Sequence, residues 1–279
     1  MANLSAVVAT LDPGLVAKDV PVLDDAQVQA KWAELAPLLD RMMERVESPD
    51  EFPILRASSL NGDDKATSPY HLSYAIRQCL AAGVDHLHAV KVLVIDQQVL
   101  HLAAPASLAR GALENFATAY WILHPSSRTE RVERALRWHA QNFKDQEKAT
   151  ASLSISRSHS LDEKLVRLEQ IGAARQIPAK CIRRGYTSTA AVSYADSGAT
   201  NLDLGVLLPW QICSGFAHGR PWAYLGVSDR LESPNQEVDR LNVRLTNDHA
   251  RALYPTLAAM RLLEQLLRLY QSRSGAPLG

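Results

Sequence analysis

Apolar residues return every three or four positions through most of this chain, and that period commits it to a mainly helical fold. In the first such stretch Val28, Trp32, Leu35, Leu38, Leu39, Met42, Met43 and Val46 share a helical spacing. Asp24 or Asp25 stands where a cap is needed, and Pro37 is placed to bend the helix. Tyr70 to about Val99 keeps the same period. Pro105 opens a helix that runs to about Leu123, and His124-Pro125-Ser126-Ser127 stops it. Ser127 and Glu130 then have the spacing of a capping box for a helix from Arg128 to about Ala149. Leu161–Ala174 and Ala179–Tyr186 read as two shorter helices. Leu202–Phe216 is apolar nearly all round and reads as a central, buried helix. The last helix starts at Asn247 or Asp248 and carries Leu253, Leu257, Met260, Leu263, Leu267 and Tyr270, with Leu262, Leu266 and Leu269 beside them.

Three stretches break the period. Ser48 to Pro69 is rich in Ser, Asp, Asn, Gly and Pro and reads as a loop or hinge. Thr187 to Thr200 is small and polar, a surface loop. Trp222–Val227 and Arg240–Thr246 alternate over short runs, which fits a hairpin. The expected architecture is an up-and-down helical bundle with a small β-hairpin before the last helix. Residues 1–24 form an arm, 25–69 a first helix and loop, and 70–279 the bundle body.

Composition narrows the function classes. With 47% hydrophobic and 22% charged residues in 279, the chain has the make-up of a globular protein with a sizeable core. A formal net charge of +0 gives no global field toward nucleic acid or a membrane surface. Met1 to Val20 has no basic segment followed by an apolar run, and no window reads as a continuous membrane span. The three cysteines, Cys79, Cys181 and Cys213, are far apart and form no Cys-x-x-Cys. These features set the expectation of a reducing cytoplasm. No Gly-rich phosphate loop, Walker-type Lys or Gly-x-Ser-x-Gly is present, and no cofactor is expected.

Two polar islands stand inside core-like sequence, at Leu108–Glu114 and Ser214–Gly219. Arg110 and Glu114 share a helix face beside Phe116, Tyr120 and Trp121, where an unpaired charge is costly. In the second island His218 lies between Gly215 and Gly219, with Ser214 four residues before it on the same face. This set, His218, Arg110, Glu114 and Ser214, is the candidate catalytic group, with His218 as a proton-transfer or phosphate-binding residue. The plain alternative is a structural ion pair and a helix cap. The two islands are expected to meet within about 8 Å, a gap that water bridges.

Arg131, Arg134 and Trp138 line one side of the Arg128–Ala149 helix, a pattern that could hold phosphate with a stacked base. Glu130 and Glu133 neutralise part of that charge, so a solvated face explains it equally. Lys180, Arg183 and Arg184 beside Tyr186 repeat the ambiguity. Asp85 and His88 are spaced like ligands on a bundle helix, with Glu114 as a facing carboxylate. A second such pair is missing, so no metal is expected.

Four short motifs together resemble a group of uncharacterised bacterial all-helical proteins. They are Asp85-His86-Leu87, the stretch Leu108–Glu114 with Ala119–Leu123, the stretch Glu130–Leu136, and Ser214–Gly219. That group is similar in turn to the HEPN superfamily of helical bundles, many of them dimeric ribonucleases or nucleotide-binding modules of toxin and phage-defence systems. The likeness spans roughly residues 70–220. It implies a homodimer, RNA or a nucleotide as ligand, and an antitoxin-like protein as partner. HEPN ribonucleases carry an Arg four to six residues before the His, and no Arg stands there before His218. The spacing occurs at Arg134…His139 and Arg244…His249, about as often as chance gives, and neither Arg is followed by a polar residue. The rival reading is a non-catalytic helical interaction or scaffold protein. The wide apolar faces of the first and last helices, exposed in a monomer, independently argue for a two-fold pair.

Overall fold

The computed structural model describes residues 23–48, 50–153, 158–199, 205–234 and 241–277. Most of the expected arm, 1–22, lies outside the described residues, as do parts of the links around 154–157, 200–204 and 235–240. The described chain is mainly helical, with eleven helices and one two-stranded hairpin. They are α1 (Asp25–Glu47), α2 (Ser59–Thr67), α3 (Leu72–Lys91), α4 (Ala104–Leu123), α5 (Arg128–Ala149), α6 (Leu161–Ala173), α7 (Ala179–Arg184), α8 (Ser188–Gly198), α9 (Leu207–Ala217), α10 (Pro221–Val227), β1 (Asp229–Pro234), β2 (Leu241–Thr246) and α11 (His249–Ser274). A single π turn, Val92–Asp96, extends α3.

The chain divides into two compact units, each drawn from three separate stretches. The first comprises Met1–Glu47, Ala82–Glu114 and Ala199–Leu262, the second Ser48–Ala81, Asn115–Gly198 and Leu263–Gly279. This division cuts across the expected body at 70–279, because tertiary contacts rather than chain order define each core.

In the first unit, α1 starts on a reciprocal cap. The Gln27 amide donates to Asp24 Oδ1 at 2.8 Å, and Asp24 N–H donates to Gln27 Oε1 at 2.9 Å. Its buried face, Val28, Trp32 and Leu35, packs on Val90 and Val94 and on Ala252 and Leu253 of α11. The Trp32 indole donates to the His249 carbonyl at 3.1 Å, tying α1 to the start of α11. In the second unit, Val132, Leu136 and Ala140 of α5 pack on Leu165 and Leu168 of α6 and on Ile182 of α7. A Ser160–Glu163 capping box starts α6, and the Tyr270 hydroxyl donates to the Phe52 carbonyl at 3.0 Å.

Several sequence expectations need correction. The loop expected over Ser48–Pro69 contains α2, whose cap is Ser58 accepting from Asn61 N–H and whose Leu60, Asp63 and Thr67 are buried. Its polar composition hid a helix because its central carboxylate serves as an internal ligand for arginines. Likewise the loop expected over Thr187–Thr200 contains α8, which buries Ala191, Val192 and Ala195 at helical spacing. Small residues suffice where another helix lies close. Trp222–Val227 is not a strand but the short helix α10, with Pro221 in its first turn, and the hairpin pairs β1 with β2 instead. Ser127 does occupy the N-cap of α5, yet its side chain makes no capping bond, and Glu130 pairs with Arg134 instead of closing a capping box. The helix expected to be buried all round, α9, buries Pro209, Cys213, Gly215 and Phe216 and leaves Gln211 and Ala217 exposed.

One further difference concerns Leu72–Asp96. These 25 residues are long and apolar enough, by length and composition alone, to cross a membrane, contrary to the expectation from the sequence. Leu72, Ile76, Leu80, Val84, Leu87, Val90 and Val94 are nevertheless buried in the protein at helical spacing. Of the faces that argued for a dimer, Val28, Trp32, Leu35, Leu39 and Met42 of α1, and Leu253, Leu262, Leu263, Leu266 and Tyr270 of α11, are buried, while Leu38 is exposed and Met43, Val46, Leu257, Met260, Leu267 and Leu269 are half-buried.

Candidate functional site

Arg110 and Glu114 lie one turn apart on α4 and form the expected ion pair at 2.7 Å, each about a quarter exposed. A third member was not expected. The Trp210 indole of α9 donates to Glu114 Oε1 at 2.8 Å, and the Arg110 guanidinium lies 5.9 Å from the centre of the Trp210 ring. The carboxylate therefore holds a cation and an indole N–H together, and the indole covers the cation. The triad fastens the first turn of α9 to α4. Arg110 Nε is buried without a hydrogen-bond partner.

His218 does not join this group. It caps the end of α9, eight residues beyond Trp210, about 12 Å along the axis. Its ring is exposed, and its backbone N–H donates to the Ser214 carbonyl at 3.0 Å. Among the described residues no hydrogen bond joins it to Arg110, to Glu114 or to the Ser214 hydroxyl. The expected catalytic group thus splits in two: Glu114 meets the start of the helix that His218 closes.

Gly111 and Gly215 are packing residues, whereas Gly219 has φ +62° and open space around it. A Cβ at Gly111 would lie 2.5 Å from the His86 ring, and one at Gly215 would lie 2.6 Å from Ala223 and 2.7 Å from Trp222. Each lets a neighbour of the chain itself approach closely, so neither opens space for a ligand at that point.

The basic face of α5 turns inward, which corrects its reading as a nucleotide-binding surface. Arg131 is 1% exposed and donates to both oxygens of the fully buried Asp63, to the carbonyls of Pro125 and Ser126, and to the Ser59 hydroxyl. Arg134 donates to the Trp121 carbonyl and to Glu130, and its guanidinium lies 4.1 Å from the centre of the Tyr194 ring. Trp138 is half-buried, edge-on to His139. In the second basic cluster Arg183 pairs with Asp162 and Glu169, and Tyr186 stacks on Trp121. What the sequence could not give was the direction of these side chains.

Nor do the chance-spaced Arg–His pairs assemble. Arg134 and His139 are five residues apart, about 140° around α5, and face different neighbours. Arg244's side chain lies outside what is described. His88 pairs with Asp40 at 3.2 Å rather than with Asp85 or Glu114. Among the described residues no group of three His, Cys, Asp or Glu is placed to hold a metal ion.

His139 sits among Tyr70, Trp138 and Phe143, with Nε2 buried and unpartnered, and burial pushes its pKa down to about 4. The folded state therefore resists a proton that the unfolded chain accepts near pH 6.5. Stability of the second unit is expected to fall as pH drops from about 6.5 to about 4, by up to roughly 1.4 kcal/mol per pH unit. His139→Phe should flatten that slope in urea melts. An unchanged slope would place the titration elsewhere.

Glu114 permits a direct test of the triad. Glu114→Ala is expected to lower stability by about 1–3 kcal/mol, less than full burial would give because both partners reach solvent. Glu114→Gln, which keeps an acceptor for the indole, should retain about half. A loss under about 0.5 kcal/mol for the alanine variant would mean that the triad does not fasten α9.

Comparison with family models, with curated proteins and with solved structures finds no match to this chain.

Proposed function

We propose that this chain is a non-catalytic helical interaction protein. The reading is carried by one observation: the charged groups that a reaction would need are spent on holding helices together. Glu114 carries Arg110 and Trp210, Asp63 carries Arg128 and Arg131, and among the described residues no hydrogen bond or ion pair joins the exposed His218 ring to an acid or base. General acid–base chemistry needs its groups within hydrogen-bond reach of one another or of a shared reacting atom. The face offered to a partner is α10, where Trp222 and Leu225 are each about two-fifths exposed, and exposed Trp side chains of this kind anchor interfaces. With most of the apolar residues of α1 and α11 buried within the chain, light scattering at micromolar concentration is expected to give the monomer mass, near 30.7 kDa.

A second reading, an RNA- or nucleotide-handling bundle of the HEPN type in a toxin or phage-defence system, is favoured by a different observation. His218, Arg220 and Trp222 are all exposed within five residues, offering an imidazole, a guanidinium and an indole to a phosphate and a base. Incubation with single-stranded RNA separates the two. The interaction reading expects no cleavage above that of a His218→Ala variant and no salt-dependent binding. Cleavage lost in that variant, or binding that weakens steeply with salt and on Arg220→Ala, would overturn it in favour of the second.

A further inference from the structure

The first unit contains a pocket that none of the foregoing chemistry uses. Its described lining residues all belong to the stretches Ala82–Glu114 and Ala199–Leu262 of that unit. Leu102 and Ala106, at the start of α4, and Ile212 and Phe216 of α9 give it an apolar wall. Its volume is about 60 Å³, enough for the centres of roughly four to six water-sized groups and so for a single ring or a branched side chain. Cys213 also lines it as a neutral thiol, its pKa pushed up to about 12 by burial.

Three polar side chains line the pocket as well: Asn247, just before α11, and Arg251 and Tyr254 in its first turns. Two of them are committed to the fold. Arg251 donates from Nε to the Val227 carbonyl at 2.7 Å and from Nη1 to the Thr246 carbonyl at 3.2 Å, and Asp248 pairs with it at 3.1 Å. It is a strut that ties the ends of α10 and β2 to α11, and its charge is already balanced. The Tyr254 hydroxyl accepts from the Leu23 N–H at 3.5 Å.

Asn247 keeps something to offer. Its Nδ2 donates to the His101 carbonyl at 2.7 Å, and its Oδ1 accepts from the Asp248 N–H at 3.0 Å. A carboxamide has two N–H donors and two acceptor positions. One of each is therefore left over among the described residues, on a side chain that its other two bonds hold in place. In an apolar pocket a few fixed polar groups set the class of ligand. A neutral amide carries the same pair of functions, an N–H and a C=O, and answers both. A carboxylate answers only the N–H, and it brings a charge that this pocket, with its cation already paired, solvates poorly. A hydrocarbon answers neither.

We infer that this pocket binds a compact apolar group joined to a neutral amide, the apolar group against the α4–α9 wall and the amide paired with Asn247. Two sources carry that chemistry: a small free carboxamide, and an apolar residue within a peptide. The inference goes beyond the interaction reading and does not rest on it, since the pocket's own walls define the site.

The test uses the full chain and four probes: benzamide, benzoate of the same shape, toluene, and N-acetyl-phenylalanine methylamide. In two-dimensional NMR titrations benzamide is expected to bind saturably at one site, shifting signals of residues 102–106, 208–216 and 247–255. Benzoate should bind at least ten-fold more weakly, and toluene several-fold more weakly. Asn247→Ala should weaken benzamide several-fold and leave toluene unchanged. Ile212→Trp, which fills the pocket, should weaken benzamide and toluene alike at least ten-fold, and Ala106→Phe serves if that variant loses its helical circular dichroism. The phenylalanine amide binding more tightly than benzamide assigns the site to a peptide, and the reverse order assigns it to a free carboxamide. No saturable shift with either amide, or shifts scattered outside those segments, would overturn the pocket as a site. Benzoate binding as tightly as benzamide would overturn the neutral class, and toluene doing so would overturn the amide. Equal losses for benzamide and toluene in Asn247→Ala would overturn the role of that side chain.

Discussion

Replacing Asp63 by alanine is expected to destabilise the second unit by about 3–5 kcal/mol, the largest effect expected of any single charge among the described residues. Asp63 is fully buried on α2 and accepts from Arg131 on both oxygens, at 2.7 and 3.0 Å, and from Arg128 at 2.9 Å. Its removal strands the Arg131 guanidinium, itself 1% exposed, without a counter-charge. Arg128 is 42% exposed at its side chain and can turn to water, so the loss falls on Arg131. Asp63→Asn keeps the shape and loses the charge, and should recover little. Asp63→Leu combined with Arg131→Met should recover most of the loss, because a well-packed apolar pair replaces a buried ion pair at small cost. Urea unfolding with hydrogen exchange on α2 and α5 measures all three. An alanine variant within 1 kcal/mol of the parent would mean that another anion balances Arg131.

The second large effect belongs to the first unit. Trp32→Ala should cost about 3–5 kcal/mol through lost contacts and the cavity left behind. Trp32 is 1% exposed in the centre of the cluster formed with Val90, Val94 and Leu253, and its indole N–H satisfies the His249 carbonyl at the start of α11. Trp32→Phe keeps most of the volume and loses the indole's hydrogen bond to that carbonyl, so it should cost about 1 kcal/mol. Exchange protection should fall along α1 and the first turns of α11 together. Protection lost in α1 alone would show that the indole does not tie the two.

The long helices were legible in the sequence because period is a property of one segment. Val28, Trp32 and Leu35, or Val132, Leu136 and Ala140, announce a buried face whatever covers it. Two helices escaped notice for opposite reasons. α2 is polar because Asp63 faces inward to arginines, and α8 buries only Ala191, Val192 and Ala195, too short a run of apolar residues to announce a helix. The segment Trp222–Val227 alternates like a strand, yet Pro221 and the close approach at Gly215 set it as a helix. The second polar island ends in exposed residues, His218 and Gly219, and the Arg110–Glu114 pair was legible from its spacing. That Trp210 rather than His218 completes it was not, since neither periodicity nor spacing fixes which residue of a second helix arrives opposite the first. The arginine stripe of α5 misled for the same reason. Its spacing was visible, but the buried carboxylate it serves sits on a segment that read as a loop.

The interleaving of the two units has a consequence for how this protein is made. Trp32 is satisfied by His249 and Phe52 by Tyr270, so each core joins residues from near the two ends of the chain. α11 supplies Leu253 to one unit and Leu266 and Tyr270 to the other. A ribosome-bound chain lacking α11 therefore holds two unfinished cores instead of one finished domain and one pending. Early helices must wait, with their apolar faces open, for α11 to be made and close both cores, and contacts so far apart in sequence are slow to form. Deleting α11 should accordingly open both cores at once rather than trim a tail.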